Sequence, residues 1–244
     1  MPISRVPSTM RLVIAGVLIA AAGICYSSWV LEFFWASPLD PLRSFLSELD
    51  AAHRPHRNVY IAGDITTSCC ALLAAGLLWI PRPAVTGRYG RGAVAALAVF
   101  GVATITDALS PIECIPNVDP NCPSEPSGLL PQLHHVHALT STVAVFAIFA
   151  AMILAVVSAW REGHWPVLRV WGLAVLVTIS VATVWMLAAD DAHGDFRLGL
   201  AQRIQVGGMS LFLVLWGVAV AGQRRWSRDS GHRRSMTLGS ESVA

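Results

Sequence analysis

Charged residues are scarce in this sequence, and lysine is absent altogether. Only 13% of the 244 residues are charged, against roughly 25% in ordinary soluble domains. Hydrophobic residues make up 55%, and the mean hydropathy is +0.58. A chain with so little charge cannot cover a folded surface with polar groups, which excludes a water-soluble globular protein. The composition therefore predicts an integral membrane protein.

The sequence also lacks the short motifs of common nucleotide-binding and hydrolytic families. It has no P-loop, no GxGxxG after a strand, no GxSxG and no HExxH. It shows no internal repeat of the kind that many transporters carry. A run of arginines near the end of the chain follows an apolar stretch directly, which is typical of a cytoplasmic flank and not of a nucleic-acid site.

Six long apolar stretches dominate the chain instead. A bilayer core about 30 Å thick needs roughly 20 helical residues. The stretches that meet this length are residues 12–35, 59–80, 92–112, 138–160, 167–188 and 201–221. The sequence thus predicts an all-α fold, a bundle of six transmembrane helices over residues 12–221. A short segment (1–11) precedes the bundle, and an arginine-rich tail (222–244), predicted to be disordered, follows it.

The distribution of arginine predicts the orientation of the bundle. With the N-terminus inside, 12 of the 17 arginines lie in inside segments and five lie outside. Because positively charged loops stay on the cytoplasmic side, both termini are predicted to be cytoplasmic. We therefore expect a multi-pass protein of a bacterial plasma (inner) membrane, with membrane lipid as its partner.

Three acidic residues are predicted at similar depth near the outer ends of the first three spans: Glu32, Asp64 and Asp107. Intramembrane carboxylates are costly and usually face the bundle interior or a cavity. Arg203, at the outer start of the last span, is their predicted counter-ion, and Glu32 with Arg203 forms the candidate ion pair. The pattern fits either one polar chamber or a buried network that only specifies helix packing.

The first outer loop carries a further pattern. Asp40 and Pro41 resemble a helix start, and the apolar residues that follow recur at helical spacing. We therefore expect a short amphipathic helix in this loop. Its polar face, with Ser47 and Glu48, is interpreted either as a lid over a cavity or as a solvated surface.

Histidines cluster where the fourth span begins. His134 and His137 lie three residues apart and share a helix face, and Asp107 from another span is a third candidate ligand. Imidazole is a common zinc ligand, so zinc is a possible cofactor. Interfacial histidines also often bond only to headgroups and water.

Cys114 and Cys122 flank a proline-rich outer loop. Outside the membrane the compartment is oxidising, and this spacing closes readily into a disulfide. We therefore predict a disulfide bond between them, with free thiols or a metal-binding pair as the alternatives.

Several segments together resemble a bacterial membrane family, domain of unknown function 998. They are SFLSELDAAHRPHRNVYIAGD (Ser44–Asp64), the Asp107–Pro111 end of the third span, the histidines that open the fourth, and GLAQRIQVG (Gly199–Gly207). The resemblance extends over roughly residues 10 to 222. It implies six spans and no known activity.

A fainter similarity is to membrane hydrolases such as alkaline ceramidases and adiponectin-receptor-like proteins. Ser47, Asp64, Asp107, His134 and His137 match the residue types that those proteins place in their bundles. They usually have seven spans, however, with metal-binding histidines in the last, whereas the last span here contains no histidine.

Three functional hypotheses follow from the sequence. The first is a non-catalytic lipid-binding, sensing or scaffolding protein. The second is a metal-dependent hydrolase of a lipid or lipid-linked substrate at the outer leaflet, with His134, His137 and Asp107 holding zinc and Asp64 or Glu48 as the base. The third is a small proton-coupled transporter.

Overall fold

The computed structural model describes residues 8–35, 37–79, 87–110, 112, 114–115, 119, 133–190 and 196–241. Within these residues the regular structure is helical. The α-helices are α1 Ser8–Cys25, α2 Arg57–Trp79, α3 Arg88–Ala108, α4 Leu133–Arg161, α5 Trp171–Asp190 and α6 Leu198–Glu241. Short 3₁₀ helices cover Ser28–Phe34, Leu46–Glu48 and Pro166–Arg169.

Six helices are long and apolar enough to cross a bilayer, as predicted. They are Thr9–Phe34, Arg57–Trp79, Arg88–Ala108, Val136–Arg161, Pro166–Ala189 and Leu198–Gln223. The third ends four residues earlier than expected, because Pro111 disfavours helical geometry in the residue before it. The first continues as a 3₁₀ helix beyond Cys25.

Consecutive helices run antiparallel, and all consecutive pairs except α4 and α5 pack closely against each other. Close packing joins α1 to α2, α2 to α3, α3 to α4 and α5 to α6, and α6 returns to pack along α1. The core is apolar, with Phe100, Met152, Phe212 and Trp216 fully buried. Many valine and leucine side chains point outward, including Val181 and Leu187, as expected where lipid is the solvent.

Glycines bring α1 and α6 into close contact. A Cβ atom on Gly16 or on Gly217 would collide with the backbone oxygen of the other glycine. A Cβ on Gly23 would lie 2.5 Å from the Ser210 carbonyl oxygen. Small residues at such crossings let helix backbones approach, which is a common way to join helices in a bilayer.

The first loop differs from its prediction. The amphipathic helix expected after Asp40 is replaced by turns and the three-residue 3₁₀ helix Leu46–Glu48. Phe45 has an extended backbone (φ −74°, ψ 155°), which interrupts any longer helix. The Leu46 N–H donates to Gln202 Oε1 at 2.6 Å, so the loop satisfies this backbone group through α6.

The backbone of α6 continues as helix past Gln223 to Glu241. A helix that is already formed extends at little cost, and no proline interrupts this segment.

Candidate functional site

The residues of interest gather at one end of the bundle, where α1, α3 and α5 end and α2, α4 and α6 begin. We call this end the site end. A buried ion pair lies here: Arg203 Nε and Nη2 donate to the two Glu32 carboxylate oxygens, each at 2.7 Å. Both residues are almost fully buried, with exposures of 3% for Glu32 and 5% for Arg203. The structure thus joins the two residues named from the sequence as an ion pair.

Arg203 also fixes the first loop. Its Nη1 donates to the carbonyl oxygens of Ser44 at 2.7 Å and Gly199 at 3.0 Å. The Leu200 N–H donates to the Leu42 carbonyl oxygen at 3.2 Å. The loop is therefore held over the start of α6 as a lid on the bundle.

A second set of contacts holds the lid on the opposite side. The Ala52 N–H donates to the Ile112 carbonyl oxygen at 2.8 Å. Arg54 Nη2 forms an ion pair with Asp119 Oδ1 at 2.8 Å, and Asp119 Oδ2 accepts from the Ile115 N–H at 2.8 Å.

Beneath the lid is a cavity of about 140 Å³, which we call the site cavity. It is large enough for several water molecules or a small polar group. Four residues named from the sequence line it together: Ser47, Asp64, Asp107 and His137. Its wall also includes Tyr26, Ser28, Trp29, Leu46, Leu49, Asp50, Tyr60, Thr104, Ser141, Ala144, Val145, Gln202, Gln205 and Val206.

Not every candidate reaches the cavity. Glu48 follows Ser47 in the sequence but does not line the cavity. Burial raises the pKa of the Glu48 carboxyl group. Glu32 and Arg203 bond to each other, and Arg203 also bonds to the lid, so neither residue lines the cavity. Asp64 and Asp107 therefore line the cavity, whereas Glu32 and Arg203 form a separate ion pair that supports the lid. The sequence pattern had placed all four residues in one cluster.

An imidazole–carboxylate pair forms one wall of the cavity. His137 Nδ1 lies 3.1 Å from Asp107 Oδ1, and His137 is buried. Thr140, one turn further along α4, donates its hydroxyl to the same Asp107 oxygen at 2.6 Å. The Thr140 hydrogen bond holds this Asp107 oxygen close to the imidazole, but His137 Nδ1 itself forms no hydrogen bond with a described residue.

Asp50 also lines the cavity, from the lid, and it is not among the residues that the sequence pattern predicts. It is 6% exposed, and burial raises its pKa to about 6, with the nearby His137 opposing the shift. Asp50 lies three residues after Ser47, and the same lid turn brings both to the cavity. The amphipathic-helix interpretation had put attention on Ser47 and Glu48, and only the observed turn shows that Asp50 points inward.

Comparison with known proteins places the chain in a family. A family model described as protein of unknown function (DUF998) matches residues 19–219. The chain belongs to the DUF998 family. No curated protein and no solved structure matches the chain.

In this DUF998 protein, four residues that line the site cavity carry a buried polar atom without a hydrogen-bond partner among the described residues. The atoms are Trp29 Nε1, Asp50 Oδ1, Thr104 Oγ1 and His137 Nδ1. Other such atoms, including Trp165 Nε1 and Ser210 Oγ, lie away from the cavity. Buried polar groups normally find partners, and a water molecule or polar ligand in the cavity would provide them for the first four.

Two sequence predictions for this DUF998 protein involve residues outside the description. The first is the zinc site, because the side chain of His134 lies outside the described residues. Among the described residues, no group of three or more His, Cys, Asp or Glu side chains is placed to hold a metal. The zinc set of His134, His137 and Asp107 therefore stays a prediction. Cys122 also lies outside the described residues, so its bond to Cys114 stays a prediction. Cys25, Cys69 and Cys70 are free thiols.

Proposed function

We propose that the protein is a membrane hydrolase that acts on a lipid or lipid-linked substrate in the site cavity. One observation carries the proposal: Asp107 Oδ1 and His137 Nδ1 lie 3.1 Å apart on the wall of a cavity that Ser47 also lines. A carboxylate, an imidazole and a hydroxyl in one cavity are the groups with which enzymes activate nucleophiles. The convergence of these residues is what favours catalysis over the non-catalytic hypothesis.

The roles of the residues follow from their contacts. His137 takes a proton from water or from the Ser47 hydroxyl as that oxygen attacks the substrate carbonyl or phosphoryl centre. Asp107 orients the imidazole and stabilises its protonated form, and Thr140 holds Asp107. When the bond to the leaving group breaks, the proton passes from His137 to the departing oxygen or nitrogen. If Ser47 is the nucleophile, a second water then releases the acyl or phosphoryl group by the same proton transfers.

The remaining acidic residues are candidates for protonating the leaving group. Asp64, on α2, and Asp50, on the lid, line the same cavity as the pair. A carboxyl group with a raised pKa is suited to donate a proton to a leaving group near neutral pH. Asp50, with a pKa of about 6, is the better candidate of the two for this role.

Substitution of the pair tests the proposal. We expect Asp107→Asn and His137→Gln each to lower the hydrolysis rate by roughly 10²–10⁴-fold, the usual contribution of a general base. The assay uses purified protein in detergent with short-chain nitrophenyl esters and a nitrophenyl phosphodiester as probes. Thr106→Val is the matched control, because Thr106 lies on α3 beside Asp107 but has an exposed side chain whose hydroxyl bonds only to the Val102 carbonyl oxygen of its own helix. Equal rates in the parent and both pair variants, with all proteins folded, would refute a catalytic pair.

Elemental analysis of the same preparations tests the zinc hypothesis. Near-stoichiometric zinc in the parent and its loss in His134→Ala/His137→Ala would make the hydrolase metal-assisted, with bound water as the nucleophile. Metal-free protein with full activity would leave His137 as the base.

Ligand binding without catalysis is the second candidate, and the composition of the cavity wall favours it. Tyr26, Trp29 and Tyr60 lie beside the carboxylates, a combination that suits cationic or hydroxyl-bearing groups. Under this candidate the parent shows no turnover, and the pair variants change ligand affinity alone. The transporter hypothesis gains no support, because Phe100 and Met152 fill the core beyond the cavity.

We further propose that both termini are cytoplasmic and that the site end faces the outside. The support is the arginine asymmetry, with 12 of 17 residues on the side of the termini.

A further inference from the structure

The side chains that line the site cavity leave an excess of negative charge. Three of them are the carboxyl groups of Asp50, Asp64 and Asp107. Among the described residues that line the cavity, His137 is the one that can carry a positive charge, and its Nδ1 lies 3.1 Å from Asp107 Oδ1. The chain contains no lysine, and no arginine is among these lining residues. Asp50 and Asp64 therefore have no cationic partner on the described wall.

The arginines near the lid are engaged elsewhere. Arg203 belongs to the buried ion pair and donates to backbone carbonyl oxygens of the lid and of α6. Arg54 forms an ion pair with Asp119. Arg57 Nε donates at 3.4 Å to the backbone carbonyl oxygen of Asp50, and not to its carboxylate. The cation that balances the cavity wall therefore has to come from a ligand or from bound protons.

The missing partner is best defined at Asp50. This residue is 6% exposed, and its Oδ1 has no hydrogen-bond partner among the described residues. Hydrogen bonds fix the lid on both sides of it, from the Leu46 N–H to Gln202 Oε1 and from the Ala52 N–H to the Ile112 carbonyl oxygen. A buried carboxylate is stable only when it is paired and hydrogen-bonded. As an ionised carboxylate only accepts hydrogen bonds, the partner of Asp50 must be a donor.

The remaining wall and the size of the cavity narrow the ligand further. The aromatic side chains of Tyr26, Trp29 and Tyr60 line the cavity, and aromatic faces attract cations. The volume of about 140 Å³ admits a group of only a few non-hydrogen atoms. Ser47 and His137 line the same small space. A cation that binds there therefore lies close to the groups that we assign to catalysis.

We propose that the site cavity recognises a protonated primary amine, which donates a hydrogen bond to Asp50. A primary amine fits better than a quaternary one, because only the former has an N–H for Asp50 Oδ1. The inference rests on the proposed function for one point: in a hydrolase, the amine belongs to the substrate, a few bonds from the ester, amide or phosphoester that is cleaved. For such a substrate Asp50 is ionised and engaged, so Asp64 remains to protonate the leaving group.

Thermal unfolding of the full-length protein in detergent tests the site without any assay of turnover. A ligand that binds only the folded protein raises its melting temperature. The probes, at equal millimolar concentration and ionic strength and at pH 7.5, are ethanolamine, ethylene glycol, glycolate and choline. We expect ethanolamine to raise the melting temperature by at least about 2 °C and the other three to have smaller effects. No shift with ethanolamine, or a larger shift with choline or glycolate, would overturn the proposal.

Two variants locate the binding site. Asp50→Asn removes the carboxylate and should abolish the shift that ethanolamine causes. Asp40→Asn is the matched control, because Asp40 lies in the same loop but is exposed, and an amide oxygen can replace its Oδ1 as acceptor for the Leu42 N–H. We expect this control to keep the full shift. An undiminished shift in Asp50→Asn would contradict the assignment of Asp50.

Two nitrophenyl esters connect the amine site to the reaction. The esters of glycine and of propionate have the same shape and differ in an ammonium group against a methyl group. We expect the parent to accelerate hydrolysis of the glycine ester, relative to its uncatalysed rate, at least about tenfold more than that of the propionate ester. Asp50→Asn should lose this preference. Equal acceleration of both esters, without stabilisation by ethanolamine, would refute the amine site and keep the hydrolase. Stabilisation by ethanolamine without turnover of either ester would keep the amine site and refute the hydrolase.

Nanodiscs distinguish a lipid headgroup from a soluble amine as the source of the ammonium group. If the site binds a headgroup, the protein melts at a higher temperature in phosphatidylethanolamine than in phosphatidylglycerol, and added ethanolamine gives no further shift in the former. If the site binds a soluble amine, ethanolamine gives the same shift in both lipids. An ethanolamine shift in neither lipid, with equal melting temperatures in both, would refute the amine site.

Discussion

At the scale of single residues, Glu32 and Arg203 form an almost fully buried ion pair, in which each charge depends on the other for compensation. Removal of one partner from a buried pair leaves an uncompensated charge, which costs about 3–5 kcal/mol. We therefore expect Glu32→Gln to lower the melting temperature markedly in detergent, measured by a thermal unfolding assay. Arg203→Met should be at least as harmful, because it also frees the Ser44 and Gly199 carbonyl oxygens.

A double variant separates the charge from the packing. Glu32→Leu/Arg203→Met leaves no buried charge and should recover part of the stability that either single change removes. If Glu32→Gln melts at the parent temperature, the pair does not stabilise the site end.

Asp50 has the opposite effect, since its burial costs stability at neutral pH. Its folded-state pKa of about 6 lies above the usual 3.8. Between these values the folded protein binds more protons than the unfolded chain, so the free energy of unfolding falls as pH rises from about 4 to 6. The shift corresponds to a penalty on the order of 1–3 kcal/mol above pH 6.

Asp50→Asn should remove this penalty, because the amide resembles the protonated acid in shape and charge. We expect a higher melting temperature than the parent at pH 7.5 and little difference at pH 4.5. An equal effect at both values would mean that the ionisation of Asp50 is not the cause. A costly carboxylate retained on a cavity wall is typical of a functional residue.

At the scale of helices, the crossing of α1 and α6 depends on the absence of side chains at Gly16 and Gly217. We expect Gly217→Leu to force the two backbones apart and to destabilise the bundle by about 1–3 kcal/mol or more, as overpacking does. Gly222→Leu is the matched control on the same helix, because a Cβ there meets no atom within 4 Å. The measurement is the melting temperature of both variants. A Gly217→Leu protein as stable as Gly222→Leu would show that the crossing has room to adjust.

The helices also explain why some features could be predicted from the sequence and others could not. Spans follow from local composition, because a bilayer requires about 20 apolar residues in each. Asp64 and Asp107 could be placed near one end of the bundle by their depth alone, and both line the cavity.

Other features depend on contacts between distant segments. The lid conformation is set by Gln202 and Arg203, more than 150 residues away along the chain. The helical spacing of apolar residues within the loop therefore predicted an amphipathic helix where the structure has turns and a short 3₁₀ helix. Asp50 could not be recognised before that turn was known. The packing of α4 along α3 and of α5 along α6, with few contacts between α4 and α5, also joins distant segments, and a single sequence does not record it.

At the scale of the whole molecule, the orientation decides which compartment supplies water and leaving-group protons to the site. Twelve arginines lie on the side of the termini and five on the side of the cavity, so under our proposal, which follows the positive-inside rule, the cavity faces the outside. We expect alkaline phosphatase, which is active only outside the cytoplasm, to be inactive when fused after Arg234 and active when inserted after Glu125. Green fluorescent protein at Arg234 should fluoresce and serves as the complementary control. The reverse pattern would place the lid and the cavity in the cytoplasm. In that case the oxidising compartment that favours the Cys114–Cys122 bond would be lost, and the cavity would meet water from the cytoplasm.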